Sequence, residues 1–264
     1  MEKIIRKVSE IGNGAHIFAP KEWVGEEVIL TRIPRKNAKE EIVKLIYPYL
    51  DKIISVLLYG SYARQEQDKH SDMDIFIVSR EKFKIKSSNK DIIIVPEDRM
   101  ENAKKINPIL FYSMIQEAVP IINSSYLEIL KKEKINLSYF KGFLEDTKRA
   151  IKSDEEIMCL DERLKSKMAS GSVIYSLILR LRGVLIVNLL LRNKKYSKKI
   201  FEAWLAENSG VDYDKVYKIY RSVRDSKKTK EEIPIKQAQF LIELLKKETK
   251  KLEDEAKKGA EKRH

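Results

Sequence analysis

The sequence predicts an α/β domain with a mixed sheet, preceded by a small β-hairpin module and followed by an α-helical bundle. Three observations predict it. Apolar runs of strand length at 53–59, 73–79 and 91–95 alternate with helical stretches. Gly12-Asn13-Gly14 separates two short strand-like segments near the N-terminus. From about residue 137 strand signals fade, and long stretches of helical spacing take over. The expected parts are 1–36, 37–134 and 135–264.

In the first part, 3–11 and 15–20 read as strands around a turn whose glycines supply positive φ. A second turn at Trp23-Val24-Gly25 leads into strand character over 26–33. So short a piece cannot hold a core alone, so it should dock on the rest or pair with a second copy in a homodimer. In the middle part, Asn37 and Glu40 have capping-box spacing, which predicts a helix to about Leu50. The strand at 53–59 meets Gly60-Ser61 and a short helix, and Asp72 opens the strand at 73–79. Further strand and helix signals follow through 109–112, 119–122 and 126–132. The expected bundle helices cover 138–153, 162–192, 198–207, 213–226 and 235–257, punctuated by Asn208-Ser209-Gly210 and Pro234.

The 264 residues carry a net charge of +13, and their pI is near 9.5. That balance suits polyanionic partners such as nucleic acid or nucleoside triphosphates, although a solvated Lys/Glu surface gives the same total. Cys159 is the single cysteine, which excludes an intrachain disulfide and points to a reducing, cytoplasmic setting. The stretch 173–191 is membrane-like in length, but Arg180 and Arg182 in its middle mark it as a bundle helix, so no membrane partner is expected.

The stretch LLYGSYARQEQDKHSDMDIFIV carries the chemistry. Asp72 and Asp74 are two apart on a strand, so they share one face about 7 Å apart. Two carboxylates so placed repel, and a divalent cation relieves them. Mg²⁺ takes one or two carboxylates together with substrate phosphates. Gly60 permits a tight turn with backbone N–H groups close to phosphate, and Ser61 adds a hydroxyl at a helix start. Asp74 stands directly before the apolar run IFIV, where a carboxylate is costly unless paired or metal-bound.

Gly60-Ser61, ten residues, then Asp72-Met73-Asp74, each on an apolar strand, resembles the signature of the DNA polymerase β-type nucleotidyltransferase superfamily. The minimal and kanamycin-nucleotidyltransferase-like members are the most similar, over roughly 38–134. The resemblance implies transfer of a nucleoside monophosphate from a triphosphate, ATP first among them, with two Mg²⁺ or Mn²⁺ ions. Asp72 and Asp74 become metal ligands and catalytic acids. A third acid, ligand and base, is implied on a neighbouring strand. Asp91 in KDIIIV matches best, with Glu97 and Asp98 as competitors beyond Pro96. Gly60, Ser61 and Arg64 would bind nucleotide. Arg64 reads equally as a surface cation, because the family pattern often continues with glycine where this chain has Gln65. His70 has no His or Cys partner nearby and reads as a loop residue. The segment KVSEIGNGAHIFAPKEWVGEEVIL resembles AbrB-like swapped hairpins, which implies either DNA contact by Lys7, Lys21, Arg32, Arg35 and Lys36 or a docking role.

Tyr213, Tyr217, Tyr220, Arg221 and Arg224 share helical spacing and read as half core, half surface, or as a face for a base or triphosphate. Two functions stand. One is a metal-dependent nucleotidyltransferase whose acceptor is a protein, an RNA end or a small molecule. The other is a DNA-binding regulator or antitoxin that works through residues 1–36. A HEPN-type ribonuclease needs an Arg followed closely by His, and no histidine lies between His70 and His264. Processive templated polymerisation lacks segments for finger and thumb domains.

Overall fold

A computed structural model describes residues 9–28, 38–67, 71–87 and 90–261. The chain divides into two compact units, residues 1–41 and 42–264. In the first, β1 (Ser9–Ile11) pairs antiparallel with β2 (Gly14–His16) across a turn in which Gly12 has φ +52°. A 3-10 turn, Lys21–Trp23, follows. The strand expected from 15 thus ends at His16, and no strand forms at 26–28. Residues 29–37, including the expected cap Asn37, lie outside the described residues, as do Lys7, Arg32, Arg35, Lys36 and His70.

α1 (Ala38–Ile46) stops short of Leu50 because Pro48 has no N–H to continue it, and a 3-10 turn takes over Tyr47–Lys52. The following elements are β3 (Ile53–Tyr59), α2 (Gly60–Ala63), β4 (Met73–Ser79), β5 (Lys90–Pro96), α3 (Met100–Ile106), α4 (Pro108–Glu117), β6 (Val119–Ile122) and α5 (Ser124–Lys131). The sheet order is β5-β4-β3-β6. β3 runs antiparallel to β4 and β6, and β4 runs parallel to β5, so the sheet is mixed as expected. Alternation divides each strand between two faces. Leu57, Tyr59, Phe76 and Val78 turn to the main core, while Val56, Leu58, Ile75 and Ile77 form a second buried row.

The remaining helices are α6 (Lys141–Arg163), α7 (Gly171–Leu191), α8 (Lys198–Ser209), α9 (Tyr213–Arg224) and α10 (Ile235–Glu261). The break between the two long helices falls at 164–170, later than the sequence suggested. Lys165 takes φ +57°, the Ser170 N–H and hydroxyl both donate to the Asp161 carboxylate, and Met168 bridges to Pro234. These long-range partners hold the break where helical spacing alone ran on. α7 is long and apolar enough to cross a membrane, yet it is mostly buried against α4, α6, α9 and α10. One continuous core runs from Leu57 and Phe76 through Phe111 and Met114 to Leu177, Leu181 and Leu245. Alternating strands and packed helices thus share a single apolar interior.

Asp154 of α6 is buried at 4% exposure and accepts a hydrogen bond from the Ser176 hydroxyl. Burial pushes its carboxyl up to about 6, against the pull of Ser176 and Arg180. The folded chain therefore holds this proton more tightly than the unfolded chain does. Stability is lost as pH rises from about 4 to about 6, by up to about 3 kcal/mol. Asp154→Asn should remove that step, so a Tm series between pH 4.5 and 7.5 will be flatter in the variant than in the parent.

Candidate active site

The site forms where β3 ends. Tyr59 is extended, and Gly60 turns the chain with φ +70° into the single helical turn α2. This turn is packed directly on Asp74, and a Cβ on Gly60 would lie 1.9 Å from Asp74 Oδ2. Gly60 is thus required twice, by its backbone angle and by the missing side chain. Ser61 lies half-buried in α2.

Strand register brings the acids together. Asp74 pairs with Tyr59 on one side and with Asp91 on the other. Paired residues point to the same face, and neighbouring strands are about 4.8 Å apart. Tyr59, Asp74 and Asp91 therefore form one row across three strands. Asp72 is exposed, one residue before β4. Glu97 and Asp98 sit in a 3-10 turn beyond Pro96, the opposite end of β5 from Asp91.

The row carries an unfavourable field. Burial pushes the Asp74 carboxyl up to about 6, the nearby Asp91 adds to the shift, Arg64 opposes it, and Glu117 and Asp72 contribute further. Burial also drives the Tyr59 hydroxyl well above its ordinary range, with Asp74 and Asp91 adding to it. Among the described residues, no set of three or more His, Cys, Asp or Glu side chains is gathered in metal-ligand geometry. The donor chemistry still suits a hard divalent cation, since Asp72, Asp74 and Asp91 offer carboxylate oxygens and Asp74 sits in a negative field that such an ion relieves.

Arg64 is neither a free phosphate hand nor a plain surface cation. Its Nη1 donates to both Glu117 oxygens at 2.8 and 2.7 Å, and its Nε donates to Glu66 Oε2 at 2.8 Å. Burial disfavours its charge, but Glu117 and Glu66 outweigh that and raise its pKa. The Gly60 N–H donates to Glu117 Oε1 at 2.8 Å. Glu66 Oε1 accepts from the Lys198 N–H at the start of α8. Sequence reasoning missed Glu117 and Glu66. Glu66 was visible two positions from Arg64, whereas Glu117 lies 53 residues away and carried no motif.

Behind Arg64, a cluster of cations and aromatic rings closes the site on the helical side. Arg64 and Arg182 both lie over the Tyr196 ring, at 5.6 and 5.1 Å from its centroid. Lys198 lies over Tyr213 and Tyr217, and Tyr213, Tyr217 and Tyr220 stack in sequence. The Arg182 Nε and Tyr213 hydroxyl are buried without a hydrogen-bond partner.

Gln65 takes φ +59°, the left-handed region, and its N–H bonds to Tyr62 O. This explains the preference for glycine at this step. Gln65→Gly should stabilise the fold by about 1 kcal/mol, measured as a rise in the urea midpoint at constant slope.

Residues 36–150 match the nucleotidyltransferase domain, which spans every element of the sheet. A Methanocaldococcus jannaschii protein named for protein adenylyltransferase activity is 32% identical over 81 residues, covering 31% of this chain and 79% of its own. Among solved structures, spectinomycin adenyltransferase from Enterococcus faecialis, solved with ATP and spectinomycin, is 15% identical with a TM-score of 0.42, covering 80% of this chain and 97% of its own. A nucleotidyltransferase-like protein from Exiguobacterium sibiricum is 13% identical with a TM-score of 0.37, covering 81% and 74%. Neither structural likeness assigns a residue role here. With the matching domain, and a relative covered over most of its length, the chain belongs to the nucleotidyltransferase domain family and is a transferase of nucleotidyl groups.

Proposed function

We propose that this chain moves a nucleoside monophosphate, AMP first, from a nucleoside triphosphate to an acceptor hydroxyl, in a reaction that requires a divalent cation. The observation that carries this reading is the Gly60 turn packed on Asp74, with Asp91 in register beside it. Asp72 and Asp74 would hold the divalent cations, Mg²⁺ or Mn²⁺, with Asp91 adjoining. When bound, two such ions would make the acceptor hydroxyl easier to deprotonate and steady the departing pyrophosphate.

The residues of the chain do the rest. The Gly60-Ser61 turn sets the triphosphate against the acid row. Asp91, on the same face as Asp74, accepts the acceptor hydroxyl proton. The acceptor oxygen bonds to the α-phosphorus, the bond from that phosphorus to the bridging oxygen breaks, and pyrophosphate leaves. The unpartnered Arg182 Nε and Tyr213 hydroxyl, with the cations over Tyr196 and Tyr217, suit the triphosphate or its base. The named activity of the archaeal relative makes a protein side chain the leading acceptor, ahead of an RNA end or a small molecule.

The experiment is transfer of label from each α-labelled nucleoside triphosphate, with Mg²⁺ or Mn²⁺, to the protein itself, a lysate, total RNA and an aminoglycoside panel. Label on a protein band, lost with Asp72→Ala/Asp74→Ala, supports the reading. No labelling in any arm, with operator DNA binding that survives the double substitution, overturns it in favour of a regulator acting through residues 1–36.

A further inference from the structure

Glu117 stands in an unfavourable place twice over. It is the last residue of α4, where the helix dipole is negative, and its side chain is 7% exposed. A carboxylate so placed needs strong partners, and it has two that belong to the site. It accepts from the Gly60 N–H and from the Arg64 guanidinium. Ala118 and β6 follow at once, and β6 is hydrogen-bonded to β3 next to the turn, so the backbone under Glu117 is fixed. Arg64 is clamped from its other side by Glu66, itself fastened to the first residue of α8. The turn packs directly against the Asp74 carboxylate, so it cannot shift toward that group.

We propose that Glu117 is a positioning residue, which fixes the Gly60 turn and the Arg64 guanidinium relative to Asp74 so that the turn is pre-set for the triphosphate. The proposal rests on the nucleotidyl-transfer reading of the same site. Glu117 itself touches no reacting atom. It acts through two partners, one bond from the Gly60 N–H and two from Arg64 Nη1. Glu117→Gln keeps an oxygen for the Gly60 N–H but turns an amide toward Arg64. Glu117→Ala removes both partners.

The test uses the full chain, with steady-state label transfer and equilibrium binding of ATP with Mg²⁺, at temperatures well below each variant's Tm. Glu117→Gln should weaken ATP binding and raise its KM about tenfold while kcat stays within about twofold, the scale of one charge-assisted bond. Glu117→Ala should lose about a further tenfold in kcat as the turn loosens. In an Arg64→Ala background, Glu117→Gln should add little. Variants that melt lower yet keep the parent KM, kcat and ATP affinity would reduce Glu117 to a structural tie and overturn the proposal. If Glu117→Ala does not fold, Glu117→Gln decides. If the parent transfers no label, the nucleotidyl-transfer reading fails by itself, and ATP affinity unchanged by Glu117→Gln still overturns the clamp.

Discussion

Gly60→Ala is expected to lower transfer by at least about 100-fold, on the scale that a 1 Å misplacement of reacting groups produces. The added carbon would sit 1.9 Å from Asp74 Oδ2 and 2.7 Å from its Cγ, far inside contact distance. Either the carboxylate or the turn must give way. Either movement disturbs the site, because a displaced turn takes the Gly60 N–H from Glu117 and a displaced carboxylate leaves its place beside Asp91. Backbone strain at φ +70° adds about 1–2 kcal/mol for any residue with a Cβ. The variant should therefore melt several degrees lower, and its activity should be lost even at temperatures where it is fully folded. Circular dichroism melts beside label-transfer rates check both. A folded variant with parental rates would show that the close approach is irrelevant to the chemistry.

The second large effect separates stability from function. Under the proposed metal-dependent transfer, Asp74→Asn should reduce transfer about 1,000-fold or more, since a bound metal ion supplies several kcal/mol of charge stabilisation. The same change should leave the metal-free fold as stable as the parent at pH 7, or more stable by about 1–2 kcal/mol. The reason is the raised carboxyl, at about 6 against an ordinary value of 3.8. With a raised folded value, the folded chain binds the proton more tightly, and stability falls as pH climbs from about 4 to about 6. At pH 7 the charge is present and unfavourable. Asparagine removes it. Added Mn²⁺ should raise the Tm of the parent and leave that of Asp74→Asn unmoved, which a thermal shift series reads directly.

The parts of the site legible in the sequence are those built by local pattern. Gly60-Ser61 and Asp72-x-Asp74 each adjoin an apolar strand, and β3 and β4 have the bounds their apolar runs predicted. Asp91 could be chosen over Glu97 because it opens a strand whereas Glu97 follows Pro96, and the parallel register places it level with Asp74. What stayed hidden depends on contacts far apart in the chain. Glu117 reaches Gly60 across 57 residues, and nothing in Gln116-Glu117-Ala118 signals that role. The break before α7 depends on Ser170 finding Asp161 and Met168 finding Pro234. The stripe of Tyr213, Tyr217 and Tyr220 was visible as spacing, but the cation over it, Lys198, comes from another helix. A continuous apolar run of strand length is readable from residue types, whereas the encounter of two helix faces is not.

The most direct test of nucleotidyl transfer compares α-labelled with γ-labelled ATP on the same acceptor, in parent and Asp72→Asn/Asp74→Asn protein. With nucleotidyl transfer the α-label becomes covalently attached only in the parent and only with the divalent cation, while the γ-label leaves as pyrophosphate. Attachment of the γ-label, or α-labelling that persists without both acids, would contradict it.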